Sequence, residues 1–274
     1  MYGAILGDII GSPYEFLHKK EDPDFPLFER RSRFTDDSVM TIAVAEALMR
    51  AREDGLISES EAGPGAEKRV KELLVDSMKT WGRRYPDSGY GGRFFGWLFT
   101  GDREPYNSYG NGSAMRVSPA GWMFGDLETT RTVARWTAEV THNHPEGIKG
   151  AESTASAIFL ARTGHDKEYI KDYVIREFGY DLGRTCSEIR PVYSFDETCQ
   201  GSVPESIICF LEGNSYEEAV RLAVSLGGDT DTMACIAGSM AEAYYGVPEE
   251  LKAECLLRVT EPMKKVLKKF DSYR

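Results

Sequence analysis

The chain has 274 residues, of which 41% are hydrophobic and 28% are charged, and its formal net charge is −11. This composition supports a substantial core and a charged surface. The negative charge argues against a nucleic-acid-binding protein, because contact with a phosphate backbone normally requires a basic face. No apolar run approaches the roughly 18 residues that span a membrane, so no membrane association is expected.

Five cysteines occur without C-x-x-C spacing, and their odd number leaves one over. They are Cys186, Cys199, Cys209, Cys235 and Cys255. In a chain of this length the pattern predicts reduced, mostly buried thiols rather than a disulfide framework. The chain shows no basic-then-apolar leader. Together these features predict a cytoplasmic protein.

Helical periodicity dominates the chain and predicts an all-α fold in a single domain, residues 1–274, without alternating strands or internal repeats. The predicted helices cover residues 39–52, 66–81, 127–140, 146–161, 168–178, 204–211, 216–226, 232–245 and 249–269. Asp126 is expected to cap the third of these helices, and Pro262 to interrupt the last one. Segments 23–33 and 54–65 are predicted to be surface loops.

Glycine-rich stretches lie between the predicted helices. They cover residues 3–11, 89–96, 110–121 and 227–228. Glycine allows close approach of the backbone to a ligand and turns with positive φ. Tight turns between packed helices explain about half of these glycines without any ligand.

Two acidic motifs lie near opposite ends of the chain, each where an apolar helical stretch begins. They are Thr35-Asp36-Asp37-Ser38 and Gly228-Asp229-Thr230-Asp231-Thr232. Helix capping, together with the helix dipole, explains one such motif well. Four acids and several hydroxyls are more than two caps require, and adjacent carboxylates repel each other unless a cation screens them. The two motifs therefore predict one shared metal site.

An all-oxygen ligand set favours Mg²⁺, Mn²⁺ or Ca²⁺ over zinc. Four or five carboxylates suffice for two ions about 3.5–4 Å apart, as in two-metal hydrolases. The prediction requires a helical domain that brings both helix N-termini to one face.

A third carboxylate motif lies nearer the start of the chain. Glu15 follows a glycine-rich turn and is flanked by Tyr14 and Phe16. It is a candidate general base or metal-linked carboxylate, and an exposed loop glutamate is the alternative. Asp8, seven residues earlier, is predicted to be buried and hydrogen-bonded, fixing the turn.

Two polar loops are candidate ligand contacts. The loop at residues 109–116 includes Asn111, Gly112 and Ser113, which offer backbone N–H groups, an amide and a hydroxyl that suit phosphate binding. The loop at residues 141–145 contains two histidines, His142 and His144. Either histidine can donate to a phosphate, and helix capping is an equally ordinary role for it.

These motifs, taken in order, resemble the ADP-ribosylglycohydrolase family, which includes dinitrogenase reductase-activating glycohydrolase and ADP-ribosylarginine hydrolase. The resemblance runs through Gly7-Asp8-x-x-Gly11-x-x-x-Glu15, Thr35-Asp36-Asp37, Gly110-Asn111-Gly112-Ser113, Thr141-His142-x-His144-Pro145 and Gly228-Asp229-Thr230-Asp231-Thr232. It covers nearly the whole chain, and five motifs in the right order are specific.

The resemblance implies a compact, orthogonal multi-helix domain with two Mg²⁺ (or Mn²⁺) ions at the base of a cleft. It implies the metal ligands Thr35, Asp36, Asp37, Asp229, Asp231 and Thr232. Glu15 would match the family's mobile glutamate, and with Asp37 and Asp231 it is the predicted catalytic set. Asn111, Gly112, Ser113 and His142 would match the substrate-binding loops.

The implied activity is metal-dependent hydrolysis of the glycosidic bond between ADP-ribose and a modified acceptor, with protein arginine as the first acceptor. The expected partner is an ADP-ribosylated protein or a small ADP-ribose conjugate. Serine-linked ADP-ribose and small conjugates such as O-acetyl-ADP-ribose are the alternatives within this chemistry. A silent, crystallin-like relative is the alternative outside it, and the intact acidic motifs argue against that reading.

Overall fold

A computed structural model describes residues 1–15, 22–63 and 65–274 of the chain. The described residues form α-helices, a short 3₁₀ helix at Asp271–Tyr273 and two isolated β-bridges, with no longer strand. The α-helices are α1 (Tyr2–Gly11), α2 (Asp36–Glu53), α3 (Ala66–Arg84), α4 (Gly92–Phe99), α5 (Gly112–Met115), α6 (Ser118–Met123), α7 (Leu127–Glu139), α8 (Pro145–Arg162), α9 (Lys167–Phe178), α10 (Cys186–Ile189), α11 (Cys199–Glu212), α12 (Tyr216–Ser225), α13 (Thr230–Tyr245), α14 (Glu249–Arg258) and α15 (Glu261–Phe270). The predicted all-α fold is confirmed.

Local capping explains where several predicted helices begin. The Asp126 carboxylate accepts from the backbone N–H of Thr129 and caps α7, as predicted. The last predicted helix is two helices, α14 and α15, with Pro262 in the first turn of α15. The prediction for α11 was wrong at its start, because Thr198 caps the helix well before Pro204. Pro204 instead lies inside the helix, where it contributes no backbone donor.

The glycine-rich stretch at residues 3–11 is not a turn but the helix α1, and the prediction for it was wrong. Its three glycines, four residues apart, face α13. A Cβ atom at Gly3, Gly7 or Gly11 would lie 2.4, 2.0 or 2.4 Å from a backbone carbonyl oxygen of α13. These separations are shorter than any real carbon–oxygen contact, so the absent side chains let the two helices pack backbone to backbone.

The other glycine-rich stretches divide between helices and turns. Segments 89–96 and 110–121 contain parts of α4, α5 and α6, which the sequence pattern did not predict. Gly227 and Gly228 have φ values of 76° and 79°, which favour glycine and form the predicted turn before α13.

Helix α13 is the centre of the fold. Every residue of α13 from Thr230 to Glu242 is buried, and α1, α8, α11 and α12 pack around it. The segment 23–33, predicted as a surface loop, carries the buried Phe25, whose ring lies 4.9 Å from that of Tyr14. In the part of the chain that the structure describes, no helix has both the length and the apolar character of a membrane span.

Candidate active site

The two acidic motifs meet, although almost 200 residues separate them. The first turns of α2 and α13 come together, and the hydroxyl of Thr232 lies 3.4 Å from Oδ2 of Asp37. Carboxylate oxygens of Asp8, Asp37 and Asp231 lie within 4.8 Å of one another, and those of Glu15, Asp229 and Asp231 form a second such group. Asp231 belongs to both groups. The geometry therefore offers two adjacent cation sites with a shared carboxylate.

Burial and mutual repulsion disfavour ionisation of these acids. Burial first, and neighbouring carboxylates second, hold the pKa values of Asp36, Asp37 and Asp231 well above their usual range. Oδ1 of Asp37 is buried without a hydrogen-bond partner among the described residues. Burying a carboxylate without a partner is costly, so a divalent cation would relieve both the repulsion and the missing contact.

Capping does not explain the acids. The N-cap residues of α2 and α13, Thr35 and Asp229, make no side-chain cap hydrogen bond. The nearest equivalent is a 3.0 Å bond from the backbone N–H of Thr232 to Asp231. The carboxylates of Asp37 and Asp231 instead lie close to each other across the two helices.

Asp8 is buried and hydrogen-bonded, as predicted, but it lies in helix α1 and the prediction that it fixes a turn was wrong. Its carboxylate accepts from the backbone N–H of Thr35 at 2.9 Å, from the Thr35 hydroxyl at 2.7 Å and from the backbone N–H of Ser38 at 3.1 Å. It also accepts from the Ser38 hydroxyl. Burial raises the pKa of Asp8 to about 6 despite these donors. Its bonds reach α2 rather than its own turn, and they hold the first turn of α2 in place.

Glu15 follows the end of α1 and lines the pocket with the other acids. It is partly buried, and burial, followed by the charges of Asp229 and Asp8, raises its pKa to about 7. An acid with such a pKa exchanges protons readily near neutral pH. Phe16, which the sequence motif placed beside it, lies outside the described residues.

A pocket of about 310 Å³ is lined by these acids and also by residues that can donate hydrogen bonds. The acids are Asp36, Asp37, Asp229, Asp231 and Glu15. The residues that can donate include Arg93, Arg116, His142, Gly110 and Gly112. One pocket therefore combines metal-type ligands with anion-type donors.

The structure separates the predicted substrate-binding residues. Gly112 and His142 line the pocket. Asn111 also lines it, but its amide donates to Asp229 at 2.7 Å and to Ser202 at 3.2 Å. Ser113 is fully buried, and its hydroxyl donates to the Gly147 carbonyl at 2.7 Å, so this hydroxyl does not face the pocket.

Two further predicted residues have local roles. His144 caps α8, accepting from the backbone N–H of Glu146 at 3.1 Å. Thr35 is not among the residues that line the pocket, and its hydroxyl lies between Asp8 and Asp37. From this position the Thr35 hydroxyl can orient the Asp37 carboxylate.

The sequence analysis missed several lining residues. Arg116 is fully buried although arginine is ordinarily a surface residue, and Phe195 and Glu197 form part of the wall. That wall is held by main-chain bonds from Asn111 to the Glu197 carbonyl at 2.8 Å and from Cys199 to the Tyr109 carbonyl at 2.9 Å. No local pattern marks these positions, because a contact between distant segments creates the wall.

An all-α fold that gathers five carboxylates in the lining of one pocket is typical of a helical enzyme with an acidic active site. A model of the ADP-ribosylglycohydrolase family matches residues 1–271, and the chain belongs to this family. It is an enzyme of the ADP-ribosylhydrolase type.

Three relatives illustrate the similarity. ADP-ribosylhydrolase ARH3 of Homo sapiens is 28% identical, with 92% of this chain and 87% of the relative aligned. ADP-ribosylarginine hydrolase Tri1 of Pseudomonas putida is 23% identical over 90% of this chain and 70% of its own. An uncharacterized protein of Archaeoglobus fulgidus is 31% identical over 91% and 80%.

A solved structure, described as an ADP-ribosylglycohydrolase-related protein complex, has a similar fold. Its TM-score is 0.66 at 24% identity, with 97% of this chain and 94% of that chain covered. At this identity the match bears on the fold alone.

Proposed function

We propose that this enzyme hydrolyses the glycosidic bond between ADP-ribose and an arginine side chain of a modified protein, with two Mg²⁺ or Mn²⁺ ions. The observation that carries the proposal is the pocket itself, whose lining combines two carboxylate groups that share Asp231 with anion-type donors. A ribose with an adjoining diphosphate needs both kinds of group. The name of the Tri1 relative supports arginine as the acceptor.

The donor set fits divalent cations. It consists entirely of oxygen, and Oδ1 of Asp37 has no partner among the described residues. The ligands would come from Asp36, Asp37, Asp229, Asp231 and Thr232. Thr35, the remaining ligand that the resemblance implies, does not line the pocket and would act through Asp37. When bound, such ions supply Lewis acidity and lower the pKa of a coordinated water.

The protein's own residues would handle orientation and protons. In the reaction, water adds to the anomeric carbon while the bond from that carbon to the guanidinium nitrogen breaks. The nitrogen gains a proton, and the attacking water loses one. Glu15, with its pKa raised to about 7, is suited to hold or release that proton at its carboxylate. The loop at residues 109–112 and His142 would orient the diphosphate.

The test is a panel of arginine-, serine- and acetyl-linked ADP-ribose substrates, with product release followed by mass spectrometry in Mn²⁺, in Mg²⁺ and in EDTA. We expect release from the arginine conjugate that requires metal, and loss of that release in Glu15→Gln. Preferential release from a serine or acetyl conjugate would replace the acceptor. Absence of release from every conjugate with either metal would refute the proposed activity.

A further inference from the structure

The buried side chains of Arg116, Thr141 and His142 form a chain of hydrogen bonds that ends at the pocket, which we call the buried relay. Nη2 of the Arg116 guanidinium donates to the Thr137 carbonyl at 2.9 Å and to the Thr141 hydroxyl at 2.8 Å. Oγ1 of Thr141 lies 2.7 Å from Nδ1 of His142. The exposed fractions of Arg116, Thr141 and His142 are 1%, 0% and 5%. Solvent therefore does not compete for these bonds.

The positions of the protons follow from the donors. A guanidinium can only donate, so the Thr141 oxygen accepts from Arg116. Among the described residues, Nδ1 of His142 is the only acceptor within reach of the Thr141 hydroxyl proton, so we assign this proton to the bond with Nδ1. Burial, and then the charge of Arg116, hold the pKa of His142 well below its usual range, so the ring is neutral. A neutral imidazole that accepts at Nδ1 carries its proton on Nε2.

Nε2 of His142 faces the glycine loop of the pocket. A Cβ atom at Gly112 would lie 3.1 Å from Nε2, and one at Gly110 would lie 3.6 Å from it. Both glycines line the pocket. The missing side chains leave room in front of the ring nitrogen, so a ligand can reach its N–H.

Arg116 places a buried positive charge beside the pocket. Among the described residues it pairs with no carboxylate, and its Nε atom is buried without a partner. An uncompensated buried cation favours an anion nearby. The group that accepts from His142 should therefore be an anionic oxygen.

We propose that Arg116 and Thr141 are positioning residues that fix His142 as the Nε2–H tautomer, a neutral donor to a phosphate oxygen of ADP-ribose. The identity of the ligand rests on the proposed function. The tautomer depends only on the buried relay, so the two parts can fail separately.

The tautomer is tested by ¹⁵N NMR of histidine side chains in the ligand-free protein. We expect His142 to show a protonated Nε2 and an unprotonated Nδ1, and Thr141→Val to remove this preference. Thr141→Ser retains the hydroxyl and should restore it. Thr137→Val is the matched control, because it removes a buried hydroxyl from the same region while leaving the carbonyl that accepts from Arg116. A wild-type protein protonated at Nδ1 would overturn the relay.

The ligand is tested by calorimetric titration with ADP-ribose. Thr141→Val should weaken binding about tenfold, the usual effect of losing one hydrogen bond to a charged group. Thr141→Ser and Thr137→Val should bind as the wild type does. Equal affinity in all four proteins would overturn the role in binding, and absence of binding by the wild type would overturn the assignment of the ligand. In both cases the NMR result still decides the tautomer.

Discussion

The side-chain amide of Asn111 donates to Oδ2 of Asp229 at 2.7 Å, across 118 residues of sequence. The same amide donates to Ser202, so its orientation is fixed by two acceptors. Asn111 thus holds a carboxylate of the acidic cluster as well as lining the pocket. Loss of a group that orients a metal-binding carboxylate commonly lowers the affinity for the metal.

Asn111→Ala should lower the affinity for Mn²⁺ by roughly 10–100-fold, because Asp229 loses its orienting donor. The affinity can be measured by titrating activity or heat with Mn²⁺. Asn214→Ala serves as the control, because it removes a side-chain amide that donates to Glu218 of the adjacent helix α12 at 3.5 Å, away from the acidic cluster. Unchanged affinity in Asn111→Ala would show that Asp229 needs no such support.

Asp231→Asn should have opposite effects with and without metal. In EDTA the variant should unfold at a higher temperature than the wild type, because a buried, repelled carboxylate has been neutralised. In Mn²⁺ the wild type should gain stability and the variant should gain little, since both carboxylate groups lose their shared member. Differential scanning fluorimetry measures both shifts.

The exposed Asp172, on α9, provides the matched change for that experiment. Asp172→Asn should behave as the wild type does in both conditions. If Asp231→Asn instead gained as much from Mn²⁺ as the wild type, Asp231 would not hold the metal.

The metal-free protein should lose stability as the pH rises. The folded-state pKa is about 6 for Asp8 and about 7 for Glu15, both above their unfolded values of 3.8 and 4.5. The folded chain therefore binds more protons than the unfolded chain, and this stabilisation disappears as the pH rises through the folded values. Two groups with pKa values lowered by burial act in the opposite direction. His142 does so below about pH 6.5, and the amino group of Met1, whose pKa falls from 8.0 to about 6, does so between these two values.

Denaturant unfolding in EDTA, compared at about pH 6.5 and about pH 8, measures this dependence. We expect a smaller free energy of unfolding at the higher pH, and a weaker dependence in Asp231→Asn because one repelling carboxylate is gone. The amino group of Met1 contributes equally to both proteins, so an identical pH dependence in Asp231→Asn and in the wild type would contradict the raised pKa values.

Gly7→Ala should destabilise the protein by about 1–3 kcal/mol, the usual cost of forcing an extra methyl group into a packed site. The new Cβ would meet the Ala234 carbonyl and part α1 from α13. Since α1 carries Asp8, metal affinity should fall as well. Chemical denaturation and Mn²⁺ titration measure the two effects.

Gly96→Ala is the control for the methyl group. Gly96 is also in a helix, and a Cβ there would meet nothing within 4 Å. Alanine at that position should be neutral or slightly stabilising, because it restricts the unfolded chain. Similar destabilisation by both substitutions would rule out close packing as the cause.

The sequence predicts the long helices and the acidic cluster well, for physical reasons that are local. Asp126 and the apolar spacing after it suffice to predict α7. The prediction of a turn at α1 was wrong because glycine is typical both of turns and of close contacts between helices. Gly7 can be assigned to the second role only when α13, more than 220 residues away, is in place.

Long-range partners also limit the prediction of the site. The positions of Asp37 and Asp231 follow from motifs at helix beginnings, whereas nothing near Arg116 indicates a buried relay. Ser113 is part of a polar loop in sequence, yet its hydroxyl is taken by Gly147 of α8. Which loop donors remain free for a ligand depends on tertiary packing that local patterns do not encode.

The wall that joins residues 109–111 to residues 197–199 is fastened through main-chain atoms. These main-chain hydrogen bonds do not depend on which side chains the wall carries. The side chains of Phe195 and Glu197, which line the pocket, can therefore vary without loss of the main-chain bonds that hold the wall.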